Sequence, residues 1–143
     1  MAAIISPRRR KKKLDELLSI AVIWIIAELN QLEQQAVMAA RTYISAGHSR
    51  DFTTMAKFLL TPDGNPKTAA EVERWFWTVE KNFKYDTLDV VPANIVERLL
   101  LLPFGETRVI ATRFYQNNRT ISTKLTFSKT KYGLILEDSS YIR

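Results

Sequence analysis

The chain has 143 residues, 46% of them hydrophobic and 25% charged, which suits one soluble globular domain and excludes a disordered or collagen-like chain. It has no cysteine, which excludes disulfides, thiolate zinc sites and cysteine nucleophiles, and its single histidine, His48, excludes histidine-cluster metal centres. The net charge of +6 is local: Arg8, Arg9, Arg10, Lys11, Lys12 and Lys13 are consecutive, and without these six, 15 Lys and Arg stand against 15 Asp and Glu.

The basic character therefore belongs to an arm, residues 1–13. A nucleic-acid-binding domain spreads its positive charge along a face instead. A run of six cations suits phosphates, anionic lipid head groups or an acidic partner, or simply a solvated tail.

After the arm, residues 17–27 read Leu-Leu-Ser-Ile-Ala-Val-Ile-Trp-Ile-Ile-Ala, without a charge between Asp15/Glu16 and Glu28. A spanning helix needs about 20 apolar residues, so this run reaches across a bilayer only if Leu14, Leu29 and Leu32 extend it. In that case the basic run holds the N-terminus in the cytoplasm. The run also has the length of a signal-peptide apolar region, but the cleavage-like Val37-Met38-Ala39 lies beyond polar residues 30–35. Apolar residues occupy every face of residues 14–28. The expected helix must be covered by lipid, by another protein or by its own domain, and membrane association is the favoured localisation. Trp24, in mid-run, is a candidate interface residue.

From residue 29 the period is helical: Leu29, Leu32, Ala36, Ala39, Ala40, Tyr43 and Ile44 recur at three- and four-residue steps, with Gly47 as the expected terminator. Ser49 or Asp51 can cap a second helix carrying Phe52, Met55 and Phe58, which ends at the loop Thr61-Pro62-Asp63-Gly64-Asn65-Pro66. Thr68 with Glu71 predicts the start of a third helix, bearing Val72, Trp75, Phe76 and Val79 on one side. After Tyr85 the period shifts toward two. Strands are predicted over 88–91, 94–102 (broken from the first by Pro92), 107–115, 120–129 and 134–142, with a hairpin turn at Gln116-Asn117-Asn118-Arg119. Helices first and an antiparallel meander after them mean an α+β domain over 29–143.

Residues 39–63, AARTYISAGHSRDFTTMAKFLLTPD, and the closing stretch RVIATRFYQNNRTISTKLTFSKTKYGLILEDSSYI resemble the first two helices and the final long strands of the nuclear-transport-factor-2-like superfamily. The resemblance covers roughly residues 29–142. It implies N-terminal helices packed on a curved, cone-like antiparallel sheet. That fold hosts small-molecule enzymes, transport adaptors and assembly domains of secretion machines, so it does not choose a function. The layout of basic tail, apolar helix and cone also resembles inner-membrane assembly proteins of type IV secretion and conjugation systems.

Candidate chemistry is sparse. No phosphate loop, nucleophilic triad or metal-ligand spacing occurs, and neither a cofactor nor a metal is expected. Asp51 reads as a cap, His48 as a loop residue, and Asp86 as a turn residue. Tyr43 lies on an apolar helix face, and Arg113 and Tyr115 share a face with Val109 and Ala111, so these three and Asp89 are the candidate lining of a cone pocket. Trp77 points away from Trp75 and Phe76 and is an interface candidate. So are Leu100 and Leu102, because a strand through the run 99–102 cannot bury both its faces in one core. The expected function is a non-catalytic assembly domain, part of a homo-oligomer or a complex with protein partners. In it the arm and apolar helix hold the domain to a membrane or larger complex. Two alternatives stand beside it: a small-molecule binder or isomerase/dehydratase-type enzyme using the cone, and an accessory subunit of a nucleic-acid machine with the arm on phosphates.

Overall fold

The computed structural model describes residues 7–142; the first six residues of the basic arm, and Arg143, lie outside the described residues. Three helices come first: α1 (Pro7–His48), α2 (Phe52–Ala56) and α3 (Ala69–Val79), the last continued by a 3₁₀ turn, Glu80–Phe83. Then follow β1 (Thr87–Pro92), α4 (Ile95–Leu101) with a 3₁₀ turn at Leu102–Phe104, β2 (Glu106–Phe114), β3 (Thr120–Thr130) and β4 (Gly133–Tyr141). The strands form one antiparallel sheet in the order β1-β2-β3-β4, and helices pack against it, an α+β fold.

The arm and the apolar run are not separate from the first helix of the body. Arg8 to Lys13, the apolar run and the helix from Leu29 onward are one 42-residue α-helix, about 63 Å long at 1.5 Å per residue. Burial divides it: every residue from Arg8 to Glu28 is exposed, and Leu29 is the first that is buried. Beyond that point Leu32, Ala36, Ala39, Ala40, Tyr43 and Ile44 are buried. Their three- and four-residue spacing faces them all to one side, and the alanines let the helix axis come close to the sheet.

The inner sheet face supplies the other half of the core. Val90 pairs in register with Ala111, Ala111 with Thr123, and Val109 with Leu125, so their side chains share the helix-facing side. Phe76 from α3 and Phe83 from the 3₁₀ turn fill the space between, with ring centroids 5.4 Å apart. Phe52 meets Phe76 edge-on at 5.0 Å and Tyr43 meets Phe83 edge-on at 5.7 Å, the favoured aromatic geometry. The caps form as the sequence predicts. Thr68 accepts from Glu71 N–H at 3.3 Å. Asp51 accepts from Thr54 N–H at 3.2 Å and from its hydroxyl at 2.6 Å, bonds that hold the Asp51 carboxyl below its ordinary range. Because the folded value is lowered, the cap's contribution is complete at neutral pH and is lost as the pH falls through that lowered value.

Two sequence expectations fail for physical reasons. Residues 94–102 are not a strand but α4 and the start of its 3₁₀ extension. Pro92 ends β1, and the Asn94 side chain then accepts from Glu97 N–H at 2.9 Å, an N-cap with an acidic residue in the first turn. The run of leucines, apolar at every position, masked this helical start. Gly47 does not end α1; the helix continues through His48, and Arg50 takes the left-handed φ of 60°. Glycine stands at 47 because Phe83 packs against it, and a Cβ there would lie 2.7 Å from Phe83 Cγ. Since Phe83 is itself buried, Gly47→Ala is expected to destabilise the fold by about 1–3 kcal/mol. Urea unfolding measures this, and Phe83→Leu in the same chain should relieve part of the loss.

Candidate functional site

The free length of α1 is the most unusual surface of the molecule. Nine large apolar residues between Leu14 and Ile26 are 44–67% exposed, with Trp24 the most exposed of them at 67%. They lie on all sides of the helix, whereas a solvated surface helix shows one apolar stripe. Leu29 and Leu32 are buried against the body and so cannot lengthen the apolar segment. That leaves residues 14–27, about 21 Å of helix against about 30 Å of hydrocarbon. No helix among the described residues is long and apolar enough to cross a membrane. The six cations form the turns immediately before this segment.

A second apolar surface lies on α4, where Ile95, Val96, Leu99, Leu100 and Phe104 are exposed, Leu100 at 69% and Phe104 at 75%. Polar contacts fix this helix in place. Arg98 pairs with Glu33 of α1, and its Nε donates to the Ala93 carbonyl at 2.9 Å. On the sheet side, Lys124 Nζ donates to Glu97 at 2.8 Å and Arg108 lies 3.9 Å from the same carboxylate oxygen. Leu100 is therefore exposed on a helix, not on a strand, while Leu102 is half-buried at the 3₁₀ turn. Trp77 is half-exposed but not isolated: its ring lies 5.6 Å from Phe76 and 6.2 Å from Phe52, and the Arg50 guanidinium sits 5.0 Å over it.

Between α1, α3 and the inner sheet face lies a cavity of about 400 Å³. Of the four residues expected to line such a pocket, Tyr43 and Arg113 do; Tyr115 and Asp89 do not. Asp89 points to the other side of β1, 3.8 Å from Arg41 of α1, because an odd step along a strand reverses the face. Tyr115 falls just after β2, where its backbone closes the hairpin with Arg119. Arg113 is 4% exposed and donates to the Asn82 carbonyl. Burial pushes the Tyr43 phenol well above its usual range. Comparison with protein-family models, with curated proteins and with solved structures found no match.

Sequence reasoning missed Asn82, Lys67, Ser139 and Tyr141 as cavity residues. Ser139 and Tyr141 carried a signal, since they alternate on the last strand and pair in register with the inward Leu125 and Thr123. Lys67 and Asn82 come from a loop and a 3₁₀ turn, where periodicity says nothing. His48 is more than a loop residue: it ends α1, its Nδ1 lies 3.1 Å from the Phe83 carbonyl, and its ring lies 4.4 Å from that of Tyr85. Asp86 accepts from Gln116 N–H at 2.6 Å and ties the start of β1 to the β2–β3 hairpin. Among the described residues no cluster of three or more potential metal ligands occurs.

Proposed function

We propose that the protein is a non-catalytic assembly domain anchored to a membrane or a larger complex through the N-terminal half of α1. One observation carries this reading: a stretch of rigid helix with large apolar residues on every side stands away from a body that has its own core. Each such side chain gains about 1.5–3 kcal/mol when fully buried, so nine of them make a strong drive toward lipid or protein. The α4 patch is a second exposed apolar surface on the same body. Its Arg98 meets α1 at Glu33, seven residues or about 10 Å beyond Ile26. Membership of the nuclear-transport-factor-2-like superfamily, and a role like that of secretion-system assembly proteins, belong to the same proposal. Its support is the helices-then-meander order and the cavity between helices and sheet.

The cations give this attachment its electrostatic character. Beside an anionic leaflet each Lys or Arg contributes about 1 kcal/mol, so Arg8 to Lys13 add several if all face the surface. Changing all six to glutamine is expected to reduce flotation with anionic vesicles at least tenfold and to leave the melting temperature of the body unchanged. Equal flotation of both proteins would remove the membrane role of the basic turns. If nucleic acid were their ligand, binding to duplex or single strands would fall steeply with salt, at a slope set by the phosphates contacted.

A further inference from the structure

We infer that the cavity between α1, α3 and the sheet binds a small aromatic carboxylate. The inference does not depend on how the protein is anchored. The walls are largely apolar and aromatic, with Ile44, Trp75, Val79, Phe83 and Leu125 among them, and a volume of about 400 Å³ falls in the range of small-molecule sites. The charged groups in the lining are both cations, Arg113 and Lys67; no Asp or Glu is part of it. Arg113 carries the argument. It is 4% exposed, its bond to the Asn82 carbonyl occupies one of five N–H donors, and no carboxylate of the described residues pairs with it.

A buried guanidinium is costly unless an anion compensates it. Four other arginines, Arg41, Arg50, Arg98 and Arg108, each have a carboxylate within 4.0 Å. Arg113 instead faces a cavity that can admit one. The planar fork favours a carboxylate, and the rings of Trp75 and Phe83 favour a flat apolar body attached to it. Tyr43 and Thr123 add hydroxyls to the lining. Exposed Ser139 and Tyr141, with half-exposed Lys67, mark the mouth and place a second cation where an anion enters.

The test is calorimetric titration of the full chain with 2-naphthoate and with the neutral 2-naphthamide. Naphthoate is expected to bind one site at least tenfold more tightly than the amide. Arg113→Gln should remove that preference, and Lys67→Gln should weaken it by less. Because Arg113→Gln alters a buried position, Ser139→Trp provides a second arm: it blocks the exposed mouth without touching the core and should abolish naphthoate binding. Equal affinity for acid and amide, no saturable binding of naphthoate, or full binding by folded Ser139→Trp would each overturn the proposal.

Discussion

Phe76→Ala is expected to lower the stability of the body by about 3–5 kcal/mol, enough to leave a marginal domain largely unfolded at 37 °C. Phe76 is 1% exposed and stands where α3, the 3₁₀ turn and α2 converge. Its ring contacts those of Phe52, Trp77 and Phe83, so truncation removes the centre of an aromatic cluster. The neighbouring rings cannot close the gap. Phe83 is already held against Gly47, and Phe52 is fixed by the short helix that Asp51 caps. Chemical denaturation followed by circular dichroism measures the loss. A cost below about 1 kcal/mol would mean that the cluster repacks freely and that the core is centred elsewhere.

The double substitution Ile23→Glu, Trp24→Glu is expected to weaken attachment at least a hundredfold while leaving the unfolding midpoint of the body unchanged. Both residues are among the most exposed of the apolar segment and touch nothing in the body, so their loss opens no cavity. Two carboxylates in mid-segment place charge where any covering lipid or protein must desolvate it, at several kcal/mol each. Removing residues 1–28 altogether should have the same effect, because burial begins at Leu29 and the core cluster begins at Ala36. Vesicle flotation and sedimentation read the loss of attachment, and thermal melting reads the fold. A body that melts much lower without residues 1–28 would place the segment in the core.

What the sequence disclosed follows from where its signals are local. Three- and four-residue periodicity with Thr68 and Asp51 as caps located the helices, and alternation located β2, β3 and β4, most cleanly β2, where every second residue from Thr107 to Arg113 is buried. The segment 94–102 misled because Leu99 to Leu102 show no period at all; only the Asn94-to-Glu97 spacing marked a helix start. The continuity of α1 was hidden by a change in what surrounds it, not in its backbone, since no Gly or Pro interrupts residues 8–46. At the cavity, Tyr43 and Arg113 were legible through their position on apolar faces. Asn82 was not, because its part is played by a backbone carbonyl, which leaves no trace in residue type.

The central claim, that the free length of α1 is covered in the working state, is tested most directly at residue 23. The chain has no cysteine, so Ile23→Cys introduces a single thiol for an environment-sensitive fluorophore. In the isolated chain of the structure this position is 65% exposed. On addition of anionic vesicles, or with rising protein concentration as copies associate, the emission is expected to shift to the blue and saturate. A probe at Ser140, on the last strand, should not shift. Water-like emission at position 23 under every one of these conditions, from a protein that stays monomeric, would contradict the account.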